Sequence, residues 1–274
     1  KLFKDGERVS GAMAYWRESG EFIVVNAKAV VLASGGVGKA YRVTSNSWEY
    51  SGDGQVMAME IGAELIDMEF IQFHPTGMVH PTGVAGLLVT EAVRGEGGLL
   101  TNSLGERFMK TYDPERMELS TRDIVAKSIY AEVKAGRGSP HGGVFLDITH
   151  RGPDYIKRKL PSMYHQFKEL ADVDITKTPM EVGPTMHYMM GGVRVDAESG
   201  ESTTVKGLFA AGEVSGGMHG ANRLGGNSLT DLLVFGRRCG LSAATTAKEQ
   251  GAFPKISDAD INAAAQEDRK STRL

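Results

Sequence analysis

The chain has a single cysteine in 274 residues, Cys239, inside an apolar stretch that reads as helix. One thiol excludes an internal disulfide, a cysteine-ligated iron-sulfur cluster and a four-cysteine zinc site, and it points to a reducing compartment. Positive charge is not in excess: 31 Lys and Arg stand against 34 Asp and Glu, a formal net charge of −3. A sequence-independent grip on phosphate backbones needs a clustered positive field, so no nucleic-acid partner is expected. Long apolar runs are missing too; "GVAGLLV" at 83–89 is far too short to cross a bilayer, and any membrane anchor would belong to another chain. No internal repeat is evident. Lys1 stands where an initiator methionine would, and the first residues already read as part of a sheet, which suggests a fragment. The ending "DRKSTRL" reads as adaptor-derived, so no fold inference is drawn from Lys270 to Leu274.

Glycine is abundant, 35 residues, and it clusters between apolar runs where the backbone has special needs. "AVVLASGGVG" (29–38) is a short apolar run ending in glycines, the pattern of a parallel strand buried on both faces, and "VKGLFAAGE" (205–213) repeats it. Between them "SGDGQVMAMEIGAEL" opens on turn residues and continues with apolar positions 56, 57, 59, 61 and 65, which suits a helix packed on a sheet. Strand, helix and strand imply an α/β layer. From about 67 to 186, loop-like stretches such as "FHPTGMVHPTG" and "KAGRGSPHGG" alternate with short helices such as "TRDIVAKSIYAEVKA", the texture of an inserted domain. "DADINAAAQEDRK" reads as a further helix. "HGANRLGGNSLTDLLVFG" (219–236) sets an arginine and paired glycines before a run that reads as a buried helix.

Four stretches in order, "QFHPTG" (72–77), "LVTEAVRGEGG" (88–98), "HYMMGG" (187–192) and "HGANRLGGNSL" (219–229), resemble the flavoprotein subunit of succinate dehydrogenase and fumarate reductase. The resemblance runs from about Val30 to Leu241. It implies an α/β fold: a Rossmann-like FAD-binding domain (1–66 and 187–250) interrupted by an α+β capping domain (67–186), with 251–274 opening a helical region. It implies a dicarboxylate held where the two domains meet, FAD as cofactor, and electrons passed to an iron-sulfur partner subunit beside membrane anchor subunits. That arrangement would be peripheral, on the cytoplasmic side of the membrane. The family's G-x-G-x-x-G turn, which sets a pyrophosphate at a helix N-terminus, and its flavin-linking histidine do not occur in these residues.

The resemblance also implies site residues. Arg223 would clamp a carboxylate of succinate or fumarate, a role its planar fork of donors suits. His74, Thr90 and His187 would complete the cradle with neutral donors. Arg122 would accept the proton in succinate oxidation and donate it in fumarate reduction; because arginine is ordinarily protonated, that role needs a relay, for which Glu91 is placed. Read without the resemblance, Arg122 pairs with Asp123 or another carboxylate at a helix start. The cofactor would meet Gly35, Gly36, Asp53, Glu213, Ser228 and Leu229, with "SGDG" also good turn chemistry for Asp53. Asn227 and Ser228 would open a helix whose positive end faces the flavin. No metal site is expected, and His80, His141, His150 and His165 are expected at the surface or in loops. The rival readings are L-aspartate oxidase, a soluble fumarate reductase and a noncatalytic flavin- or dicarboxylate-binding module.

Overall fold

The computed structural model describes residues 1–271; Thr272 to Leu274, part of the adaptor-like ending, lie outside the described residues. The strands and helices in chain order are β1 (Leu2–Asp5), β2 (Arg8–Trp16), β3 (Glu21–Asn26), β4 (Val30–Leu32), α1 (Asp53–Glu60), β5 (Leu65–Ile66), β6 (Ile71–Met78), α2 (Ala92–Gly95), β7 (Leu99–Thr101) and α3 (Met109–Tyr112). They continue with α4 (Arg122–Glu132), β8 (Val144–Asp147), α5 (Pro153–Lys159), α6 (Pro161–Ala171), β9 (Met180–Met189), β10 (Gly192–Val193), β11 (Leu208–Ala210), α7 (Asn227–Glu249) and α8 (Asp258–Ser271).

Two compact units emerge, one of residues 1–37, 50–71 and 189–274, the other of 38–49 and 72–188. Residues 38–49 therefore go with the second unit although the sequence reading keeps them in the first. In the first unit β4 and β11 pair in parallel, Val30 opposite Leu208 and Leu32 opposite Ala210. A three-stranded antiparallel sheet, β1-β2-β3, flanks them in the chain. Leu32, Ala58, Ile61, Val193, Leu208 and Val214 lie in the core of this unit, and Phe209, Cys239 and Ala243 form a smaller cluster beneath α7.

Two details depart from the periodicity reading. Val31, the middle residue of β4, is 45% exposed, so this strand is not covered on both faces. On α1 the buried residues are Gly54, Gln55 and Ala58, while Val56 and Met59 face outward. The small residues have been turned inward because the helix start fits closely against the strand: a Cβ at Gly54 would overlap the Ser34 hydroxyl.

The second unit is built on a four-stranded sheet in the order β6-β9-β8-β7, with β8 antiparallel to both β7 and β9. Its core gathers Met78, Leu100, Leu146, Met180 and Val182 from the strands and Val125, Ile129, Ile156 and Phe167 from helices α4 to α6. The stretch expected as loop at 73–83 is in part strand β6, Pro75 included. Proline and glycine signal a loop only where their missing donor or side chain leaves the ladder unsatisfied; the burial of Gln72 and of every residue from His74 to Met78 shows that the sheet supplies the compensation.

Candidate functional site

Strand geometry organises the second unit's polar cluster. Alternate residues of a strand share a face, and on β6 Gln72, His74 and Thr76 are all buried, whereas Phe73 between them is 38% exposed. His187 on β9 meets His74 edge to face, with ring centroids 5.3 Å apart. The His187 ring is held from outside the strand: its Nδ1 lies 2.8 Å from the Ser45 hydroxyl, and the Asn46 amide donates to its carbonyl at 3.1 Å.

Arg122 is the first residue of α4, where an exposed helix start would ordinarily favour an acid. Its side chain turns to β6 and α2 instead. Nη1 donates to Gln72 Oε1 at 3.2 Å, Nε to Glu91 Oε2 at 3.0 Å, and Nη2 sits 2.9 Å from the same Glu91 oxygen. Thr121 meanwhile donates to Asp123, so the nearby carboxylate that engages Arg122 is Glu91. Thr90 opens α2, its hydroxyl accepting from the Ala92 N–H at 3.4 Å.

Two residues the sequence reading passed over belong to this cluster. Gln72 is one; the alternation of positions 72, 74 and 76 was the signal. Arg94 is the other, fully buried, with Nη1 donating to the Glu118 carbonyl and Nη2 3.9 Å from Glu91 Oε2. Two guanidinium groups thus face one carboxylate oxygen, an excess of positive charge suited to an anion. Burial lowers the Arg94 pKa below the usual arginine range.

The same surroundings fix the charge on His74. Burial, then the charges of Arg122, His187 and Arg94, hold its pKa at about 2, so the ring is neutral at ordinary pH. Its Nδ1 lies 3.0 Å from the Thr76 carbonyl oxygen and 3.3 Å from the Thr76 nitrogen. With the proton on Nδ1 the ring donates to that carbonyl; with the proton on Nε2, Nδ1 accepts from the Thr76 N–H and Nε2 becomes a donor. Only the second tautomer offers a hydrogen bond to a carboxylate.

The first unit carries the remaining candidates. Open α/β sheets bind ligands beyond the carboxyl ends of their parallel strands, and there Gly35 and Gly36 follow β4 while Glu213 follows β11. Glu213 Oε1 accepts from the Met189 N–H at 2.9 Å. A Cβ at Gly36 would overlap the Glu213 carboxylate, and one at Gly35 would press on the Tyr50 ring at 2.6 Å. The room these glycines create is filled by the protein's own side chains rather than left open beside the backbone. Burial raises the Glu213 pKa to about 7, against the Met189 N–H and the charge of Arg223.

Arg223 is 4% exposed and its Nη1 donates to the Leu224 carbonyl at 3.3 Å. Ser228 and Leu229 stand in the first turn of α7, Leu229 67% exposed. Asp53, exposed at the start of α1, lines a cleft of about 760 Å³ with Met13, Tyr15, Phe22 and Glu60. His219 and Asp231, 3.5 Å apart with their side chains largely buried, were not singled out by sequence reasoning. A lone acid in the apolar run "NSLTDLLVFG" was the available signal. Among the described residues no group of three or more His, Cys, Asp or Glu could hold a metal ion.

Comparison with known proteins decides what kind of fold surrounds these residues. A family described as the FAD binding domain matches residues 1–229. The chain belongs to that FAD-binding family. It is similar to a fumarate reductase (CoM/CoB) flavin-family polypeptide of Methanothermobacter marburgensis, 57% identical over 246 residues, covering 90% of this chain and 44% of that protein. It is also similar to the succinate dehydrogenase flavoprotein subunit of Coxiella burnetii, 42% identical over 267 residues, covering 93% of this chain and 45% of that one. Among solved structures, a quinol fumarate reductase of E. coli superimposes with a TM-score of 0.89 at 38% identity, over 100% of this chain and 48% of that one. The resemblance drawn from the four sequence motifs therefore stands, as does the FAD-binding α/β fold. This chain spans a little under half the length of the curated relatives it matches.

As an FAD-binding protein the chain has a polar set that fits the cofactor's ring and hydroxyl portions. Glu213 is a buried carboxyl group that can be protonated near neutrality, and it sits at a strand's carboxyl end. The first turn of α7 follows Gly226 without a side-chain cap, leaving N–H groups directed outward. No residue present is assigned to the pyrophosphate.

Proposed function

We propose that the protein is the flavoprotein subunit of a succinate dehydrogenase or fumarate reductase and interconverts succinate and fumarate. The observation that carries this reading is the Arg122–Glu91 contact, at 2.9–3.0 Å, beside the neutral buried His74 and its partner His187. FAD, when bound, supplies the hydride acceptor in one direction and the donor in the other. Glu213, Gly35, Gly36, Asp53, Ser228 and Leu229 would hold it.

The chain's own residues do the rest. Arg223 binds one carboxylate through paired N–H donors, while Thr90, His74 and His187 donate to the substrate's oxygens. Fixing both carboxylates holds the reacting carbons in place, and such positioning is worth roughly 7 to 11 kcal/mol of barrier in favourable cases. Arg122 takes the proton from the carbon next to the one that loses hydride. A guanidinium can do so only if its own proton leaves as the new one arrives, and Glu91 Oε2, in contact with both Nε and Nη2, is the group to receive it. Glu91 is half exposed and so connects this exchange to water. Arg94, buried on the other side of Glu91, favours the carboxylate's charged form.

Electrons would leave through an iron-sulfur partner, since one buried cysteine cannot ligate a cluster. None of the described helices is long and apolar enough to cross a membrane; a membrane anchor subunit, and a peripheral position on the cytoplasmic side, belong to the same proposal.

The test uses the full-length holoprotein. Succinate should reduce the bound flavin and aspartate should not. Arg223→Ala should abolish dicarboxylate turnover with flavin retained. Turnover preserved in that variant, or reduction by aspartate alone, would refute the assignment; dicarboxylate binding without flavin reduction by any dicarboxylate would indicate a binding module.

A further inference from the structure

The segment that delivers Arg223 turns at Gly217, Gly220 and Gly226, with φ of 93°, 56° and 83°. A Cβ at Gly220 or Gly226 would meet nothing within 4 Å, so those two turns are not wedged in place by packed neighbours. The direction of the loop then depends on side-chain contacts. At its start, His219 Nε2 lies 3.5 Å from Oδ2 of Asp231 on α7, with side chains only 11% and 2% exposed. Asp231, Cys239 and Ala243 are the buried residues of this long helix. Burying a carboxylate is costly unless a donor faces it, and an apolar residue would serve packing at that position better. Charge on His219, Arg223 and Asp231 acts on Glu213 as well, so the four belong to one electrostatic neighbourhood.

We propose that the His219–Asp231 pair is a latch that positions Arg223: it ties the start of the loop to α7 and thereby aims the guanidinium that receives a dicarboxylate. His219 and Asp231 are positioning residues, acting through Arg223, and the inference rests on the reading of Arg223 as a carboxylate ligand.

Malonate is a suitable probe on the full-length holoprotein, because a diacid with one methylene has no second carbon from which to lose hydrogen. His219→Gln, Asp231→Asn, the double variant and the charge-preserving Asp231→Glu are compared for malonate Kd, flavin content, and KM and kcat for succinate. Each single variant should raise the malonate Kd and the succinate KM about tenfold, leave kcat within about threefold and retain flavin. The double variant should lose no more than the worse single, and Asp231→Glu should recover part of the affinity. Unchanged malonate affinity in both single variants would overturn the latch. So would parallel losses of kcat, flavin and affinity that add in the double variant and are not relieved in Asp231→Glu. A wild-type protein that neither binds malonate nor is reduced by succinate would instead overturn the functional reading itself, and the latch with it.

Discussion

Glu91 is the residue on which two guanidinium groups converge, and its removal separates binding from chemistry. Glu91→Gln keeps the shape and one acceptor oxygen but loses the proton exchange, so kcat should fall by about 10² to 10⁴ while malonate Kd stays within a few fold. Stopped-flow reduction of the flavin by succinate would measure the step directly. Glu213 makes a different prediction. Its pKa is about 7 in the folded chain against an ordinary value of 4.5. Between those values the folded state keeps a proton that the unfolded state has released, so stability drains away as pH rises through that window. The complete effect is on the order of 3 kcal/mol. Glu213→Gln should therefore lose less stability than the wild type between pH 5 and pH 8, as read from urea midpoints at the two pH values. His74 has the opposite sense: held neutral at about 2, it withdraws stability as pH falls below the ordinary histidine value of 6.5.

At the scale of elements, β9 owes part of its placement to the segment at 44–46, which reaches it through Thr44 and Ser45 bonded to the Met186 carbonyl and through Ser45 against His187. Gly86 packs directly on that segment, with φ of 97° and no room for a Cβ beside the Thr44 backbone. Gly86→Ala should cost on the order of 1–3 kcal/mol from backbone strain alone and raise the succinate KM by displacing His187. Thermal unfolding and steady-state kinetics on one preparation would show both effects. The helix at α7 shows where periodicity reading stops. Its start at Asn227 follows from the glycines before it, yet Leu229, Leu232 and Leu233 are more than half exposed rather than buried. Apolar character fixes that a face wants cover; it does not say what covers it. Position 56 on α1 teaches the same, since there the tight fit of Gly54 against Ser34 outweighed the apolar side chains in setting the helix's rotation.

At the scale of the whole molecule, the cofactor candidates Gly35, Gly36, Asp53, Glu213, Ser228 and Leu229 all fall in one unit, and His74, Thr90, Glu91, Arg122 and His187 in the other. Truncations in the two cores should therefore read out differently. Leu208→Ala, in the first unit's core, should lower the flavin bound per mole of protein. Leu146→Ala, in the second unit's, should lower turnover with flavin retained. Each removes a fully buried side chain and should cost about 2–5 kcal/mol, and absorbance of the bound flavin against protein concentration distinguishes them.

The sequence by itself determined the family and the chemistry on offer. Four motifs in order named the flavoprotein fold, the single cysteine excluded a cluster on this chain, and the strand grammar at 29–38 and 205–213 identified the parallel pair, because such patterns record local backbone needs and side-chain types. Tertiary structure alone decided which groups meet. Gln72 and Arg94 join Glu91 and Arg122 only once β6, α2 and α4 are packed together. His219 finds Asp231 only when the loop folds back on α7. The charge states of His74 and Glu213 follow from how much water each has lost, a property of the surrounding fold and not of the residue.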